Sequence, residues 1–101
     1  METTVDIERL EKVAFILKTI AHPMRIGIVQ LLTHTDKLSV NEICEKLGSE
    51  QSLTSHHLSN MKLKGILGST REGKNIFYYL ILQEVVKVID CMEHCDMVKF
   101  R

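Results

Sequence analysis

The most constraining feature of this chain is the order of local signals between Ser39 and Tyr79. Ser39 and Glu42 have the spacing of a capping box, in which each side chain satisfies an unpaired amide of the first helical turn. Apolar residues then recur at helical spacing, and Gly48 can supply the left-handed residue that often ends a helix. The pattern predicts a helix that begins at Val40 and ends before Gly48.

A second helix is predicted from about Glu50. Four apolar residues are expected to pack inward: Leu53, Leu58, Met61 and Leu63. The outer face is expected to carry short hydrogen-bonding groups and one cation: Gln51, Ser52, Thr54, Ser55, His56, Asn60 and Lys62. Amide, hydroxyl and imidazole groups are the ones that read base edges in the major groove of DNA. The segment therefore predicts a recognition helix.

A β-hairpin is predicted after Gly65, because two runs rich in β-branched and aromatic residues flank Gly73. Arg71 and Lys74 lie at its tip, where they could reach phosphates or the minor groove. Helix, turn, helix and hairpin in this order predict a winged helix-turn-helix. The expected fold is mainly α with a small β-hairpin wing, in the order of four helices, two strands and one helix.

The remaining helices are predicted from apolar periodicity and turn signals. The segment 6–21 has two apolar faces. Pro23 suits the first position of a helix that runs to Leu32 or Thr33, with Met24, Ile28, Leu31 and Leu32 inward and Arg25 off that stripe. The segment 83–100 is predicted to be one long helix. Residues 1–101 then form a single domain, and the helices over 6–21 and 83–100 are expected to form a dimer interface.

Composition limits the function classes. The chain has 101 residues and no formal net charge, which argues against a strongly basic architectural protein. Residues 51–79 carry Lys62, Lys64, Arg71 and Lys74 against Glu72, a net charge of +3, so the rest of the chain carries −3. No apolar run is long enough to span a bilayer and no signal peptide is recognisable, so a cytoplasmic location is expected.

Three segments together resemble the ArsR/SmtB family of bacterial winged-helix repressors: Ala21-His22-Pro23-Met24-Arg25-Ile26, Ser52 to Leu58, and Arg71 to Leu80. The resemblance implies a homodimer, built on the first and last helices, that binds an operator with inverted-repeat symmetry and releases it when an inducer binds. It implies DNA contacts at Gln51, Ser52, Ser55 and His56, and backbone contacts along 71–75. His56 and His57 are adjacent and cannot face the same way, so one is expected at DNA and the other in packing or on another surface.

Members of that family detect metals, arsenite or reactive sulfur, mostly through Cys and His of the third or terminal helix. The third-helix stretch 38–41 has no cysteine here, and 82–84 offers at most one carboxylate. Cys91, His94 and Cys95 remain, at a spacing that puts them on one side of a helix. Two thiolates and an imidazole suit arsenite, Zn(II), Cd(II) or Cu(I).

Other interpretations of the cysteines stay open. The paired thiols could instead be oxidised or persulfidated. Buried cysteine is also common as plain packing, so there could be no inducer site of this kind. Cys44 is a further candidate for sensing. A disulfide framework is not indicated, because the chain has an odd number of cysteines.

Three functions compete on the sequence alone. The leading hypothesis is a dimeric repressor of transcription that responds to a thiophilic metal, metalloid or sulfur species. The alternative from another class is a winged helix used as a protein-interaction module, which would need an apolar exposed face. An enzyme is not expected, because no spacing assembles a nucleophile, a base and an orienting group.

Overall fold

The computed structural model describes residues 4–99. Along the chain lie α1 (Ile7–Ile20), α2 (Pro23–Thr33), β1 (Leu38–Ser39), α3 (Val40–Leu47), α4 (Gln51–Leu63), β2 (Leu67–Glu72), β3 (Asn75–Leu80), α5 (Glu84–Glu93) and α6 (Asp96–Lys99). The mainly α winged helix-turn-helix is confirmed, with α4 in the position of the recognition helix and the β2–β3 hairpin as the wing.

Side-chain caps mark the starts of α2 and α3. The Ser39 hydroxyl accepts from the Glu42 amide at 3.2 Å, and the Glu42 carboxylate accepts from the Ser39 amide at 2.8 Å, so the predicted capping box is confirmed. Gly48 ends α3 at a φ of 64°, which favours glycine. At the start of α2, the ring Nδ1 of His22 accepts from the Met24 amide at 3.1 Å.

The sheet has a third strand that the sequence did not indicate. Its order is β1-β3-β2, all antiparallel. Leu38 and Ser39 pair with Tyr78 and Phe77. A strand of two residues has no alternating pattern of its own, so only its partner β3 defines it. It joins the start of α3 to the wing.

The core lies where α2, α3 and α4 meet the inner face of the sheet and α5. Its most deeply buried apolar side chains are Ile28, Val29, Ile43, Leu58, Met61, Ile66 and Leu67. From α1, by contrast, Ile20 alone of the described apolar side chains joins this buried cluster. The radius of gyration is 15.4 Å, above the ~13 Å of a compact domain of about 100 residues. The domain is therefore elongated, and most of the apolar surface of α1 stays exposed.

The prediction of one helix over 83–100 is wrong. α5 ends at Glu93, and α6 begins at Asp96. The amides of His94 and Cys95 bond three residues back, to the carbonyl oxygens of Cys91 and Met92, which tightens the last turn and stops the α-helical ladder. Residue 100 lies outside the described residues.

Two inward placements on α4 are also wrong. Leu53 is 46% exposed and Leu63 is 83% exposed. Leu58 and Met61 are buried as predicted.

No single helix in residues 4–99 is long and apolar enough to cross a membrane. The helices α1 and α2 together have the length and apolar composition of a membrane span, but the chain bends by 92° between them.

Candidate DNA-binding surface

The outer face of α4 carries most of the predicted contacts. Gln51, Ser52, His56 and Lys62 are exposed, and Ser55 is half-buried. The Ser52 hydroxyl donates to the Glu50 carboxylate at 3.0 Å, so it is held close to the helix start. These side chains offer amide, hydroxyl, imidazole and ammonium groups along one helix, which is the chemistry that base edges and phosphates require.

The recognition helix and the wing share one cleft of about 220 Å³. Gln51 and Ser55 line it from α4, Lys74 and Asn75 from the wing, and Asn41 from the first turn of α3. Three predicted contacts from two distant stretches of sequence therefore meet at one surface. The cleft combines an ammonium group with amides and a hydroxyl, which suits a DNA phosphate oxygen.

Asn41 and Asn75 also belong to this surface, although the sequence does not predict them there. Asn41 could have been found from the capping box, because that motif fixes the start of α3 and makes Asn41 its second residue. Asn75 follows the wing turn directly and pairs with Glu72. Its place beside α4 depends on how the hairpin packs, which no local pattern reports.

Thr54 does not lie on the outer face of α4, where the sequence predicts it. Its side chain is completely buried. Its hydroxyl donates to the Glu50 carbonyl oxygen at 2.9 Å and lies 2.6 Å from the Ser49 hydroxyl. Thr54 therefore fixes the turn between α3 and α4, and its hydroxyl has no access to DNA.

The adjacent histidines of α4 divide as predicted. His56 is exposed, whereas His57 is buried. The guanidinium Nε of Arg25 donates to His57 Nδ1 at 2.9 Å. Burial lowers the pKa of His57, and the charges of Arg25, His22 and His56 lower it further. Arg25, predicted to lie off the inward stripe of α2, is half-buried against α4.

The wing is held near its tip by a residue from before β1. Lys37 forms an ion pair with Glu72, and its ammonium lies 5.2 Å from the centroid of the Phe77 ring. Glu72 is the one acid of residues 51–79. Because it pairs with Lys37, no acidic residue of that segment is left to neutralise the segment's own Lys and Arg side chains. At the tip, Arg71 Nε donates a long bond of 3.4 Å to the Gly73 carbonyl oxygen.

The predicted metal ligands are not assembled. Cys91 is exposed at the end of α5, His94 caps that helix, and Cys95 lies in the turn beyond it. Within residues 4–99, no group of three or more His, Cys, Asp or Glu side chains is arranged to hold a metal ion. The premise that Cys91, His94 and Cys95 share one helix face fails because the helix stops at Glu93.

His94 is nevertheless oriented. Its Nδ1 lies 2.8 Å from the Asp90 carbonyl oxygen and 3.7 Å from the Asp90 carboxylate. This backbone hydrogen bond, together with the charge of Asp90, raises the pKa of His94. The cysteines in the described residues, Cys44, Cys91 and Cys95, are free thiols.

Comparison with known proteins agrees with this geometry. The family model described as "Bacterial regulatory protein, arsR family" matches residues 22–69, from the cap of α2 into β2. The chain is 38% identical over 85 residues to the transcriptional repressor PagR of Bacillus anthracis, covering 84% of this chain and 85% of PagR. It is 32% identical over 76 residues to the cadmium resistance regulatory protein CadC of Listeria innocua, covering 75% of this chain and 61% of CadC.

Solved structures extend the likeness to the whole fold. The crystal structure of PagR superposes with a TM-score of 0.75 at 37% identity, over 86% of this chain and 99% of PagR. The repressor BigR of Xylella fastidiosa superposes with a TM-score of 0.80 at 30% identity, over 88% of this chain and 92% of BigR. The names of these relatives are those of transcriptional regulators, not of enzymes. The chain therefore belongs to the ArsR family of bacterial regulatory proteins.

Proposed function

We propose that this DNA-binding transcriptional regulator is a homodimeric repressor whose α4 reads an operator with inverted-repeat symmetry while the wing holds the flanking backbone. The observation that carries this proposal is the cleft in which Gln51 and Ser55 of α4 meet Lys74 of the wing. A protein-interaction module would need an apolar patch there, whereas these side chains are polar or basic. A repressor of this kind works in the cytoplasm, where the DNA is.

The proposed dimer rests on exposed apolar surface away from α4. Five apolar side chains of α1 are between 43% and 62% exposed: Ile7, Leu10, Val13, Phe15 and Leu17. Val88 and Met92 of α5 and Val98 of α6 are also exposed, and they line a mainly apolar groove, which includes Glu93, against the end of α1. A stable interface buries about 800 Å² on each partner. A second copy of this chain, packed through α1 and α5, would cover these faces.

Operator binding by fluorescence anisotropy tests the recognition surface. Replacing Ser55 and His56 with Ala removes a hydroxyl and an imidazole from the outer face of α4. We expect the double variant to lose at least tenfold in operator affinity, since each good base contact contributes about 1–3 kcal/mol. The dimer should remain intact in analytical ultracentrifugation.

The matched control is His34→Ala, which removes an exposed imidazole at the end of α2. This control should bind the operator like the wild type. Unchanged affinity in the double variant would overturn the assignment of α4 as the recognition helix.

We further propose that a thiophilic agent releases the operator by reacting at Cys91 and Cys95. Support comes from two free thiols at the end of α5, one exposed and one half-buried, beside the face proposed for dimerisation. One subunit alone offers no complete metal site in its described residues, which favours thiol chemistry, or ligands shared between subunits, over a preformed metal centre. Cadmium resistance in the name of CadC supports the metal alternative.

The test adds arsenite, Zn(II), Cd(II), Cu(I) or polysulfide to the reduced protein bound to operator DNA. The proposal is supported if one of these agents releases the DNA from the wild type but not from Cys91→Ser or Cys95→Ser. The matched control is Cys44→Ser, which should still release. Release that depends on Cys44 alone would move the sensor to α3, and binding indifferent to every agent would overturn the proposal.

A further inference from the structure

Arg25 connects three helices through hydrogen bonds to neutral groups. Its Nη1 donates to the Thr19 carbonyl oxygen at 2.9 Å and to Asn60 Oδ1 at 2.7 Å. Its Nε donates to His57 Nδ1 at 2.9 Å. Neither ion pair found in the described residues includes Arg25. The guanidinium therefore depends on these three acceptors, in the last turn of α1 and on the side of α4 that faces α2. Asn60, predicted on the outer face of α4, is half-buried there.

The bond to His57 fixes the state of that imidazole. A guanidinium has only donors, so His57 Nδ1 must present a lone pair, and the proton of the neutral ring must sit on Nε2. Nε2 is buried and has no hydrogen-bond partner among the described residues. A proton added to Nδ1 would destroy the acceptor and set two cations against each other.

The surroundings of His57 oppose that second proton. From α2 it faces the charge of Arg25 and the ring of His22, whose centroid is 4.5 Å away. From α4 it faces the ring of His56, with the centroids 5.9 Å apart. From α1 the nearest group in this network is the uncharged Thr19 carbonyl, held by Arg25. These three neighbours, Arg25, His22 and His56, each carry a positive charge when protonated.

We infer that Arg25 is a positioning residue for DNA recognition: it holds α4 against α1 and α2 through His57 and Asn60, and its bond to His57 exists only while His57 is neutral. This inference rests on the proposed role of α4 in operator binding. His57 lies next to His56 in the chain and its ring points inward, so its bond to Arg25 sets the orientation of the contact face. Because Arg25 also binds α1, the same link joins the proposed dimer helix to the recognition helix.

The pH dependence follows from the sign of the pKa shift. The pKa of folded His57 lies below the value of about 6.5 of a free imidazole. Above that value the neutral ring contributes fully to holding α4 through Arg25. The contribution is lost as the pH falls towards the lower pKa of His57 in the folded protein. Acid should therefore weaken operator binding through His57. Protonation of exposed histidines acts in the opposite direction, because added positive charge strengthens binding to phosphates.

The experiment compares operator affinity at about pH 7.5 and about pH 5.5 for the wild type and for His57→Asn. Asn keeps an acceptor near the position of Nδ1 but does not titrate. We expect the wild type to lose up to about tenfold more affinity on acidification than His57→Asn. The matched control His34→Asn, at an exposed histidine, should behave like the wild type. Equal pH responses of the wild type and His57→Asn would overturn the inference.

A second measurement does not depend on whether His57→Asn folds. Imidazole nitrogen chemical shifts of the free protein at neutral pH should show His57 as the Nε2–H tautomer, and Arg25→Lys should change them while preserving the charge. A protonated Nδ1 at neutral pH would contradict the inference. Failure of the wild type to bind operator DNA at about pH 7.5 would instead contradict the proposed function itself, so the two failures are distinguishable.

Discussion

At the scale of single residues, α4 owes its placement to two polar and two apolar side chains that face inward. Thr54, His57, Leu58 and Met61 are its buried residues, and they recur at helical spacing. The sequence identified Leu58 and Met61 because they are apolar. It could not identify Thr54, because a threonine that fixes a buried turn and a threonine that contacts DNA look the same in a sequence.

Thr54→Val tests whether Thr54 stabilises the fold and makes no contact with DNA. The substitution keeps the shape but removes a buried hydroxyl that bonds to Glu50 and Ser49. We expect the free energy of unfolding to fall by about 1 kcal/mol in urea titrations, with operator affinity unchanged under native conditions. Thr33→Val is the control, because its hydroxyl makes the same kind of bond, to the Val29 carbonyl oxygen, on an exposed residue. A loss of affinity in Thr54→Val without a loss of stability would restore Thr54 to the contact surface.

At the scale of elements, the fold was predictable where helix ends carry their own signals. Ser39, Gly48, His22 and Pro23 mark ends that the structure confirms. The break after Glu93 was not predictable, because neither glycine nor proline lies between α5 and α6. Strand β1 was missed because two residues show no period. The metal-site prediction assumed one helix through 94–95, which the structure does not have; metal binding at Cys91, His94 and Cys95 stays a prediction.

The wing provides an element-scale prediction. Lys74 lines the cleft beside α4, and its ammonium suits a phosphate and not a base edge. We expect Lys74→Ala to weaken binding to specific and scrambled DNA alike, and to reduce the slope of log affinity against log salt by about 1. Lys46→Ala, an equal change of charge at the end of α3, should leave that slope unchanged. A loss confined to the specific sequence would assign Lys74 a base contact instead.

At the scale of the whole molecule, one subunit leaves too much apolar surface in water. The exposed faces of α1 and of α5 with α6 flank an apolar groove, and contiguous patches of this kind mark interfaces. Two copies related by a two-fold axis would place two α4 helices for successive major grooves about 34–36 Å apart. An agent acting at α5 would release DNA by favouring another separation.

Leu10→Glu tests the dimer. Leu10 is 51% exposed on α1, and a carboxylate there would lie unpaired in the proposed interface. We expect the dissociation constant of the dimer to rise at least about tenfold, measured by sedimentation equilibrium, with a matching loss of operator affinity. Ile81→Glu is the control, because Ile81 is 53% exposed in the connection between β3 and α5. A dimer equally stable in both variants would move the interface away from α1.

The most direct test of a dimeric operator-binding regulator is a titration of labelled promoter DNA from beside the gene, followed by fluorescence anisotropy at physiological salt. One fragment carries the intact inverted repeat and the other a scrambled repeat. We expect two chains to bind each intact site, with an affinity at least about 10³-fold above that for the scrambled fragment. Equal affinity for both fragments, or one chain per intact site, would contradict this expectation.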